Sequence, residues 1–321
     1  EGTRLNAVLP PLSADGTLIC LRTKRRSAFT LGQLVEAGTV APGLDSVLAA
    51  LIETRASCLI TGATGTGKTT LLAALLGLVS ATERIVCIEE AAELRPDHPH
   101  VLHLQERGDN VQGAGAVPMS ALVRTALRMR PDRIVLGECR GPEVRDVLTA
   151  LNTGHEGGWA TLHANSPADV PARLTALGAL AGLDETAVAA QAVSALDAVI
   201  HLRRSGATGG GIAGRRSPRE GTAERSSTRG SDGPDSCASP EQDVMSSRSS
   251  RTRRYVSGIG MLRRGAQGSL VCEDALIVAL DGAAGTVCAV SAGPAVDRLA
   301  ERIGAAPVAA AMKGGTSWTP L

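Results

Sequence analysis

The sequence predicts an α/β fold, in which a mostly parallel sheet is flanked by helices over residues 41–204. Short apolar runs alternate in this region with segments of helical periodicity, as in chains of repeated strand and helix. A glycine-rich loop lies directly between one apolar run and one helical segment. The later apolar runs end in charged and polar residues, at the edge where open α/β sheets bind ligands. These observations predict a ligand site at the carboxyl ends of the strands.

Composition limits the classes of protein to which the chain can belong. With 43% hydrophobic and 1% aromatic residues, the core must be built from aliphatic side chains. Lys and Arg number 33 against 32 Asp and Glu, so the formal charge of +1 gives no overall field directed at DNA or at an anionic membrane. The low aromatic content also argues against a platform for single-stranded nucleic acid, which needs exposed rings for base stacking.

The cysteines and the apolar runs bear on where the chain works. The 7 cysteines are widely spaced, odd in number and without a CxxC pair, which favours a reducing cytoplasm over a disulfide framework. No stretch reaches the roughly 18 uninterrupted apolar residues of a transmembrane segment. We also expect sequence upstream of Glu1 to be missing, because the chain starts without Met and inside an extended segment.

Composition shifts divide the chain into four parts. Residues 1–40 resemble the remnant of a β-rich N-terminal domain, and residues 41–204 form the predicted core. Residues 205–252 are rich in Ser, Gly and Arg and poor in large apolar residues, which predicts a disordered insertion. We favour a tolerated surface loop there over a regulatory or binding tail. Residues 253–321 return to short apolar runs and end in a helix over Ala295–Ile303.

Within the core, apolar periodicity predicts individual elements. Apolar residues recur at helical spacing from Leu44 to Ile52, which predicts a helix before the first strand. The other helices have recognisable starts at Pro142, Ser166 and Asp184. The predicted strands are Cys58–Ile60, Ile85–Ile88, Ile134–Leu136, Ala160–Leu162 and Val199–Leu202. Beyond the insertion, short runs are predicted at Tyr255–Val256, Ile259–Leu262, Leu270–Cys272 and Ala275–Leu280.

The glycine-rich loop matches G-x-x-x-x-G-K-[ST] in full, from Gly62 to Thr69. Its backbone N–H groups and the following helix N-terminus would hold phosphate groups. Lys68 would reach the β- and γ-phosphates of ATP, and the Thr69 hydroxyl would ligate Mg²⁺. A chance glycine-rich turn is the alternative, and the flanking strand and helix argue against it. The predicted nucleotide-binding residues are Gly62, Ala63, Thr64, Gly65, Thr66, Gly67, Lys68, Thr69 and Thr70.

Three further segments carry candidate catalytic groups. Glu89, Glu90 and Glu93 follow one predicted strand, and one of them could activate the attacking water. Glu138 follows another strand, beside the expected magnesium position. His155 and His163 bracket a third strand, where a role in sensing phosphate is favoured over ordinary hydrogen bonding. For the acids, the alternative is a solvated loop edge.

A histidine cluster at His98, His100 and His103 offers a possible metal site. No Cys or carboxylate completes an evident ligand set in the sequence. We therefore favour a segment that packs beside the nucleotide domain.

Taken in order, the motifs resemble the type II/IV secretion system ATPase superfamily, and most closely the tight-adherence (Flp) pilus assembly ATPases. The resemblance covers roughly residues 1–204 and, more faintly, 254–303. It places Glu90 where this family commonly has Asp, a change from one carboxylate to another. The matching segments are Walker A at 62–69, an acidic Asp box at 88–94, an atypical Walker B at 127–140 and a His box at 153–165.

The resemblance implies a RecA-like P-loop NTPase core with a truncated β-rich N-terminal module. It implies that Glu93 activates water, that Glu138 supports Mg²⁺ and the water, and that His163 reads the γ-phosphate. It also implies that Arg4 and Arg22 reach the nucleotide from the N-terminal module, although ordinary solvated arginines are the alternative.

The implied function is an ATP-hydrolysing motor for secretion or pilus assembly, which works as a homo-hexamer on the cytoplasmic face of the membrane. Its implied partners are inner-membrane platform proteins, for which the basic run Lys24–Arg26 is a candidate contact. Three rivals stay open: a nucleic-acid translocase or helicase-like ATPase, as in conjugation, a small-molecule or nucleotide kinase, and a scaffold that binds ATP without hydrolysis. The first would need a basic channel or stacking aromatics.

Overall fold

The computed structural model describes residues 4–22, 28–109, 115–205, 253–280 and 287–314, without the side chains of residues 4, 22, 287 and 288. The strands are β1 (Arg4–Val8), β2 (Leu18–Arg22), β3 (Cys58–Thr61), β4 (Ile85–Glu89), β5 (Val101–Gln105), β6 (Arg133–Cys139), β7 (Trp159–Leu162), β8 (Ala198–Arg204), β9 (Arg254–Arg264), β10 (Leu270–Leu280) and β11 (Val287–Ala292). The helices are α1 (Leu31–Glu36), α2 (Leu44–Glu53), α3 (Lys68–Leu76), α4 (Met119–Leu127), α5 (Glu143–Asn152), α6 (Val170–Leu180), α7 (Glu185–Ala195), α8 (Val296–Ile303) and α9 (Ala305–Gly314).

A single large sheet organises the molecule, with its described strands in the order β11-β10-β9-β8-β3-β7-β6-β4-β5. The strands from β8 to β5 pair in parallel, whereas β9, β10 and β11 extend the β8 edge by antiparallel pairing. The predicted α/β fold with a large parallel sheet is therefore confirmed. The carboxyl ends of β3, β7, β6 and β4 lie side by side at one edge of this sheet.

Helices cover both faces of the sheet, and two aliphatic clusters fill the space between. The first cluster packs α1, α2, α3, α8 and α9 on one face, and the second packs α4, α5, α6 and α7 on the other. Strand β3 shows the alternation, since Cys58 and Ile60 belong to the first cluster and Leu59 to the second. Among the described residues, the largest fully buried side chains are Trp159, in β7, and otherwise Leu and Ile.

The five strands predicted for the core are confirmed as β3, β4, β6, β7 and β8, and the predicted helix at Leu44 as α2. These strands are buried on both faces, so they read as continuous apolar runs. The start predicted at Asp184 is also confirmed, because its carboxylate accepts a hydrogen bond from the N–H of Ala187. Pro142 immediately precedes α5, and Ser166 precedes a short 3₁₀ turn leading into α6.

The sequence predicts four short runs after the insertion, and this number is wrong. The four runs form two long strands, β9 and β10. Gly258 lies between two of the predicted runs and Gly260 within one of them, and both lie inside β9. A β-carbon on Gly260 would lie 2.7 Å from Sγ of Cys272, and one on Gly258 would lie 2.7 Å from the carbonyl oxygen of Leu276. Glycine is therefore required there by the close approach of β10.

Several elements were not predicted from periodicity. Strand β5 is an edge strand with half-buried and exposed residues, including His103 and Gln105. Helix α1 is only 6 residues long, and it begins with a capping box between Thr30 and Gln33. Helix α9 follows the predicted final helix after Gly304, which has a φ of 90°.

At the N-terminus, β1 and β2 form a separate antiparallel hairpin. Leu5, Ile19 and Leu21 share one face of it and are 64%, 64% and 59% exposed. The predicted disordered insertion, 205–252, lies outside the described residues apart from Ser205, as does the basic run Lys24–Arg26. The described residues of 253–321 contribute β9–β11 to the same sheet as the core. The four-part division of the chain stays a prediction.

Candidate functional site

A cleft of about 720 Å³ lies at the carboxyl edge of the sheet. The glycine-rich loop, the acids after β4 and β6, and the histidine after β7 all open into it, because these parallel strands end at one edge. Its lining includes Phe29, Thr64, Gly65, Gly67, Lys68, Thr69, Thr70, Glu89, Glu90, Glu93, Gly137, Glu138, Arg140, Glu143, Thr161, His163 and Arg254.

The loop between β3 and α3 has a backbone that only glycine adopts readily. Gly62 has a φ of 148°, and a β-carbon there would lie 2.5 Å from the carbonyl oxygen of Leu202. Gly67 has a φ of 98° and caps the N-terminus of α3, which begins at Lys68. The N–H groups of the first turn of a helix have no partner within it, so this end of α3 favours an anion.

Lys68 lies folded against its own loop. Its Nζ donates to the carbonyl oxygens of Gly62 and Ala63 at 2.9 and 3.1 Å, and it lies 3.4 Å from Nδ1 of His163. Burial lowers the pKa of Lys68, while the charge of Glu138 acts in the opposite direction. The ammonium group is thus held at the loop that would bind phosphate.

A chain of charged groups links the ends of β7, β6 and β4. Nε2 of His163 lies 2.6 Å from one carboxylate oxygen of Glu138, and the other oxygen lies 2.6 Å from Nη2 of Arg140. Nη1 of Arg140 in turn donates to Glu90 at 2.6 Å. The hydrogen bond to Glu138 is the largest cause that raises the pKa of Arg140, and the charges of Glu90 and Glu93 act in the same direction. One oxygen of the predicted Walker B acid is therefore paired with Arg140, and the other is buried beside His163 without a well-formed hydrogen bond.

His163 is held towards its neutral form. Burial is the main cause that lowers the pKa of this imidazole, and the charge of Lys68 lowers it further. Glu138 acts in the opposite direction. A neutral ring accepts a hydrogen bond at one nitrogen and donates at the other, so Nδ1 can accept from the Lys68 ammonium while Nε2 lies beside Glu138.

The acids at the end of β4 and directly after it have different surroundings. Glu89 is buried, and its Oε1 accepts hydrogen bonds from the N–H groups of Glu93 and Leu94 at 2.8 and 2.9 Å. It therefore shapes the turn that carries Glu93. Glu93 is half-buried in the cleft, and Glu90 is exposed.

Three lining residues that support the site were not singled out in the sequence. Arg140 joins the Asp box to Walker B, as described above. The buried carboxylate of Glu143 accepts hydrogen bonds from the N–H groups of Arg140 and Gly141 at 2.7 and 2.8 Å, which fixes the turn after β6. The hydroxyl of Thr161 donates to the carbonyl oxygen of Gly137, which ties β7 to β6. An acid placed one residue after Gly-Pro at a helix start is the signal that would have indicated Glu143.

The structure brings most of the predicted site residues together in this cleft, namely Thr64, Gly65, Gly67, Lys68, Thr69, Thr70, Glu93, Glu138 and His163. Gly62, Ala63 and Thr66 do not line it. They shape the loop instead, for example through the hydrogen bond from the Thr66 hydroxyl to the carbonyl oxygen of Ala63 at 2.8 Å. Arg4 and Arg22 lie opposite each other in the β1–β2 register, and their side chains lie outside the described ones.

The histidine cluster makes ordinary contacts with protein groups. Nε2 of His100 lies 3.1 Å from Nε of Arg84, and Nε2 of His98 lies 2.9 Å from the carbonyl oxygen of Ser80. Nδ1 of His103 lies 3.7 Å from Glu89. Within the described ranges, no group of three or more His, Cys, Asp or Glu is arranged to hold a metal.

The chain is similar in sequence to one protein family and to several known proteins. The model of a family described as type II/IV secretion system protein matches residues 3–248. A Mycobacterium tuberculosis protein named for conjugal transfer, Rv3659c, is 54% identical over 201 residues, which are 63% of this chain and 57% of that protein. The type IV secretion system protein PtlH of Bordetella pertussis is 36% identical over 200 residues, covering 54% of this chain and 58% of PtlH. The chain thus spans little more than half the length of these relatives.

Among solved structures, the ATPase DotB of Legionella pneumophila matches with a TM-score of 0.48 and 24% identity, over 63% of this chain and 53% of DotB. The pilus retraction motor PilT with bound ADP matches with a TM-score of 0.47 and 24% identity, over 63% of this chain and 59% of PilT.

Proposed function

The chain belongs to the type II/IV secretion system protein family, and we propose that it is an ATPase that powers such a system. One observation supports this most strongly. A complete phosphate-binding loop opens into the same cleft as a carboxylate from β6, a histidine from β7 and the acids that follow β4. This set of groups can bind a triphosphate and direct a water molecule at its terminal phosphorus.

Binding begins at the loop. The N–H groups at the start of α3 and the Nζ of Lys68 would hold the phosphate oxygens. To do so, Lys68 exchanges its bonds to the carbonyls of Gly62 and Ala63 for bonds to phosphate. Hydrogen bonds to a charged partner are stronger than those to a neutral carbonyl, so this exchange favours the nucleotide.

Hydrolysis needs a base for the attacking water, and Glu93 is our candidate. Its backbone is held by Glu89, and its side chain is half-buried in the cleft. Glu138 and His163 would sense the γ-phosphate together, because the imidazole contacts both Lys68 and Glu138. A change in the position of Lys68 therefore reaches the Walker B acid through a single side chain.

The residues present fit a magnesium ion. The Thr69 hydroxyl and the Glu138 carboxylate line the same cleft, and both are oxygen ligands of the kind that Mg²⁺ prefers. Mg²⁺ is commonly held by one or two side chains together with phosphate oxygens and waters, so a larger protein ligand set is not needed. When bound, the ion neutralises charge on the phosphates.

We place the chain in a homo-hexameric ring that acts on platform proteins of the inner membrane from the cytoplasmic side. Family membership and the relatives named for type IV secretion support this assignment. None of the helices within the described ranges has the length and hydropathy needed to cross a bilayer. Arg4 and Arg22 are proposed to reach the nucleotide from the N-terminal hairpin, where their backbones face each other.

A nucleic-acid translocase is the second candidate, because relatives are named for conjugal transfer. Of the four aromatic residues, Trp159 is buried, Phe29 and Tyr255 are half-buried, and Trp318 lies outside the described residues. A stacking platform for single-stranded DNA requires exposed rings. The described side chains therefore favour the protein-secretion motor, and stimulation of ATP hydrolysis by single-stranded DNA would favour the translocase.

The proposed activity is tested by Lys68→Ala. We expect ATP to bind at least about tenfold more weakly, because a charge-assisted contact to phosphate is lost. We also expect turnover to fall by about a hundredfold or more, since the same contact stabilises the transferring phosphoryl group. The measurements are a titration with a fluorescent ATP analogue and a phosphate-release assay in the presence of Mg²⁺.

Lys313→Ala is the matched control, because this lysine is exposed on α9 and does not line the cleft. It should leave both binding and turnover unchanged. If the unsubstituted chain neither binds nor hydrolyses ATP with Mg²⁺, the proposed function is wrong.

A further inference from the structure

Two arginines face each other where β8 and β9 reach the edge of the sheet that carries the cleft. Arg204 ends β8 and Arg254 begins β9, and the antiparallel register pairs them directly. Next to this pair, Ser205 and Arg253 continue the contact between the two chain segments through hydrogen bonds. Both arginine side chains are exposed.

The pair lies against the phosphate-binding loop. A β-carbon on Gly65 would lie 3.7 Å from Nη1 of Arg204, and a β-carbon on Gly67 would lie 3.7 Å from Cδ of Arg254. Arg254 also lines the cleft together with Lys68 and Thr69. The side chains of this pair therefore lie beside the part of the loop whose N–H groups would hold phosphate.

Among the described residues, no acid is paired with either arginine of this pair. Neither guanidinium forms an ion pair or a side-chain hydrogen bond with another residue in the part of the chain that the structure describes. Like charges directly opposite each other on neighbouring strands are destabilising. An anion between or beside the two guanidinium groups would relieve that repulsion.

The sheet order separates this pair from the catalytic candidates. Strand β3, which leads into the loop, has β7, β6 and β4 on one side and β8 and β9 on the other. His163, Glu138 and Glu93 thus come from one side of the loop, and Arg204 and Arg254 from the other. The phosphate-binding loop therefore has the acids Glu138 and Glu93 on one side and the arginines Arg204 and Arg254 on the other.

We propose that Arg204 and Arg254 bind the phosphate groups of the nucleotide from the side of the loop opposite Glu138. The proposal rests on the proposed function, since it assigns further contacts to the same ATP. These contacts form when the nucleotide binds, away from the acids that act on the water. Loss of the pair should therefore raise KM and leave kcat nearly unchanged.

The experiment compares Arg204→Gln, Arg254→Gln and the double variant with the unsubstituted chain. We expect each single change to weaken ATP binding about tenfold, and the double change to weaken it further. Adenosine, used as a competitor without phosphates, should bind all the variants equally. Arg264→Gln is the matched control, because it removes an exposed arginine at the far end of β9 and should leave ATP binding unchanged.

The melting temperature of the unliganded protein separates a ligand contact from a structural role. If the pair exists to bind an anion, removing one charge should leave that temperature unchanged or raise it, since repulsion is relieved. If the pair were structural, the unliganded variants would melt at a lower temperature, which would overturn the proposal.

The outcomes also distinguish this proposal from the proposed function. If Lys68→Ala loses ATP binding while the double arginine variant binds ATP within about twofold of the unsubstituted chain, only the arginine proposal fails. If the unsubstituted chain does not bind ATP, both fail. A fall in kcat with an unchanged KM would place the pair at the transition state and would also overturn the proposal as stated.

Discussion

Glu89 is the last residue of β4 and Glu93 lies four residues beyond it, and their surroundings give them different tasks. Glu89 is buried, and one of its oxygens is used by two backbone N–H groups of the following turn. Glu93 lies half-buried in the cleft. At the scale of single residues, the structure therefore favours Glu93 as the group that activates water.

Glu93→Gln tests this assignment. We expect the variant to bind ATP normally and to lose hydrolysis by about a hundredfold or more, because an amide cannot accept the proton of the attacking water. Single-turnover phosphate release measures the loss of hydrolysis, and titration with an ATP analogue measures whether binding is retained. Turnover near that of the unsubstituted chain would shift the role of base to Glu90, Glu138 or Glu89.

His201 gives a prediction for stability against pH. This residue in β8 is 1% exposed, and its Nδ1 lies 2.8 Å from the Thr61 hydroxyl. Burial, followed by the charge of Arg203, lowers its pKa from 6.5 to about 4. The unfolded chain therefore takes up a proton in this range before the folded chain does, so stability is lost as the pH falls below 6.5.

The expected contribution of His201 is a loss of about 2 kcal/mol in unfolding free energy between pH 7 and pH 5. His201→Gln cannot take up this proton, so its free energy of unfolding should change less over the same interval. Urea denaturation of both proteins at the two pH values measures the difference. Equal losses in the two proteins would contradict the assignment.

At the scale of elements, periodicity predicted the strands that are buried on both faces and missed those that are not. Strand β4 is buried at every position and reads as a plain apolar run. Strand β5 has three half-buried and two exposed residues over five positions, and it is too short and too polar to be recognised from periodicity. In β9, Gly258 and Gly260 are needed for the approach of β10, a requirement that only the paired strand reveals. The packing of β10 against β9 thus outweighed the low strand propensity of the two glycines.

The contact between α2 and α9 gives a prediction at this scale. Gly43 precedes α2 with a φ of 86°, and a β-carbon there would lie 2.6 Å from the carbonyl oxygen of Ala310 in α9. Gly43→Ala should cost about 2–4 kcal/mol, of which about 1 kcal/mol comes from the backbone angle and the rest from the displaced helix.

Gly182→Ala is the matched control, because Gly182 has a φ of 77° and open space at its β-carbon position. It should cost only about 1 kcal/mol. Chemical denaturation of both variants measures the difference. Similar losses would show that the packing of α9 against Gly43 adds nothing.

At the scale of the whole molecule, the catalytic candidates were predictable because parallel strands end at one edge. Glu93, Glu138 and His163 each lie at or shortly after the carboxyl end of a recognisable strand, so their convergence follows from the fold. Arg204 and Arg254 were not predictable in this way. They lie 50 positions apart in the sequence, on either side of residues 206–252, and only the antiparallel pairing of β8 with β9 brings them together.

The N-terminal hairpin predicts how the whole chain behaves in solution. Leu5, Ile19 and Leu21 form an apolar face that is more than half exposed, and such faces promote association. Replacing Ile19 and Leu21 by Thr should lower the binding of a hydrophobic dye and reduce self-association, because Thr keeps strand propensity with less apolar surface. Dye fluorescence and light scattering measure the two effects.

Leu180→Thr serves as the control for this prediction, because Leu180 is 66% exposed on α6 and lies away from the hairpin. Leu180→Thr should change dye binding and self-association clearly less than the substitutions at Ile19 and Leu21. If all three substitutions act alike, the apolar face of the hairpin has no special role in association.

Trp159 gives the protein a built-in spectroscopic reporter. Its indole is buried at the beginning of β7, four residues before His163, so roughly 13 Å of extended chain separates the two. The indole does not line the cleft, so a nucleotide bound there would not stack on the ring. With Trp318 changed to Phe, any shift of the emission spectrum on adding ATP would therefore register strain carried along the central strands, without an added label.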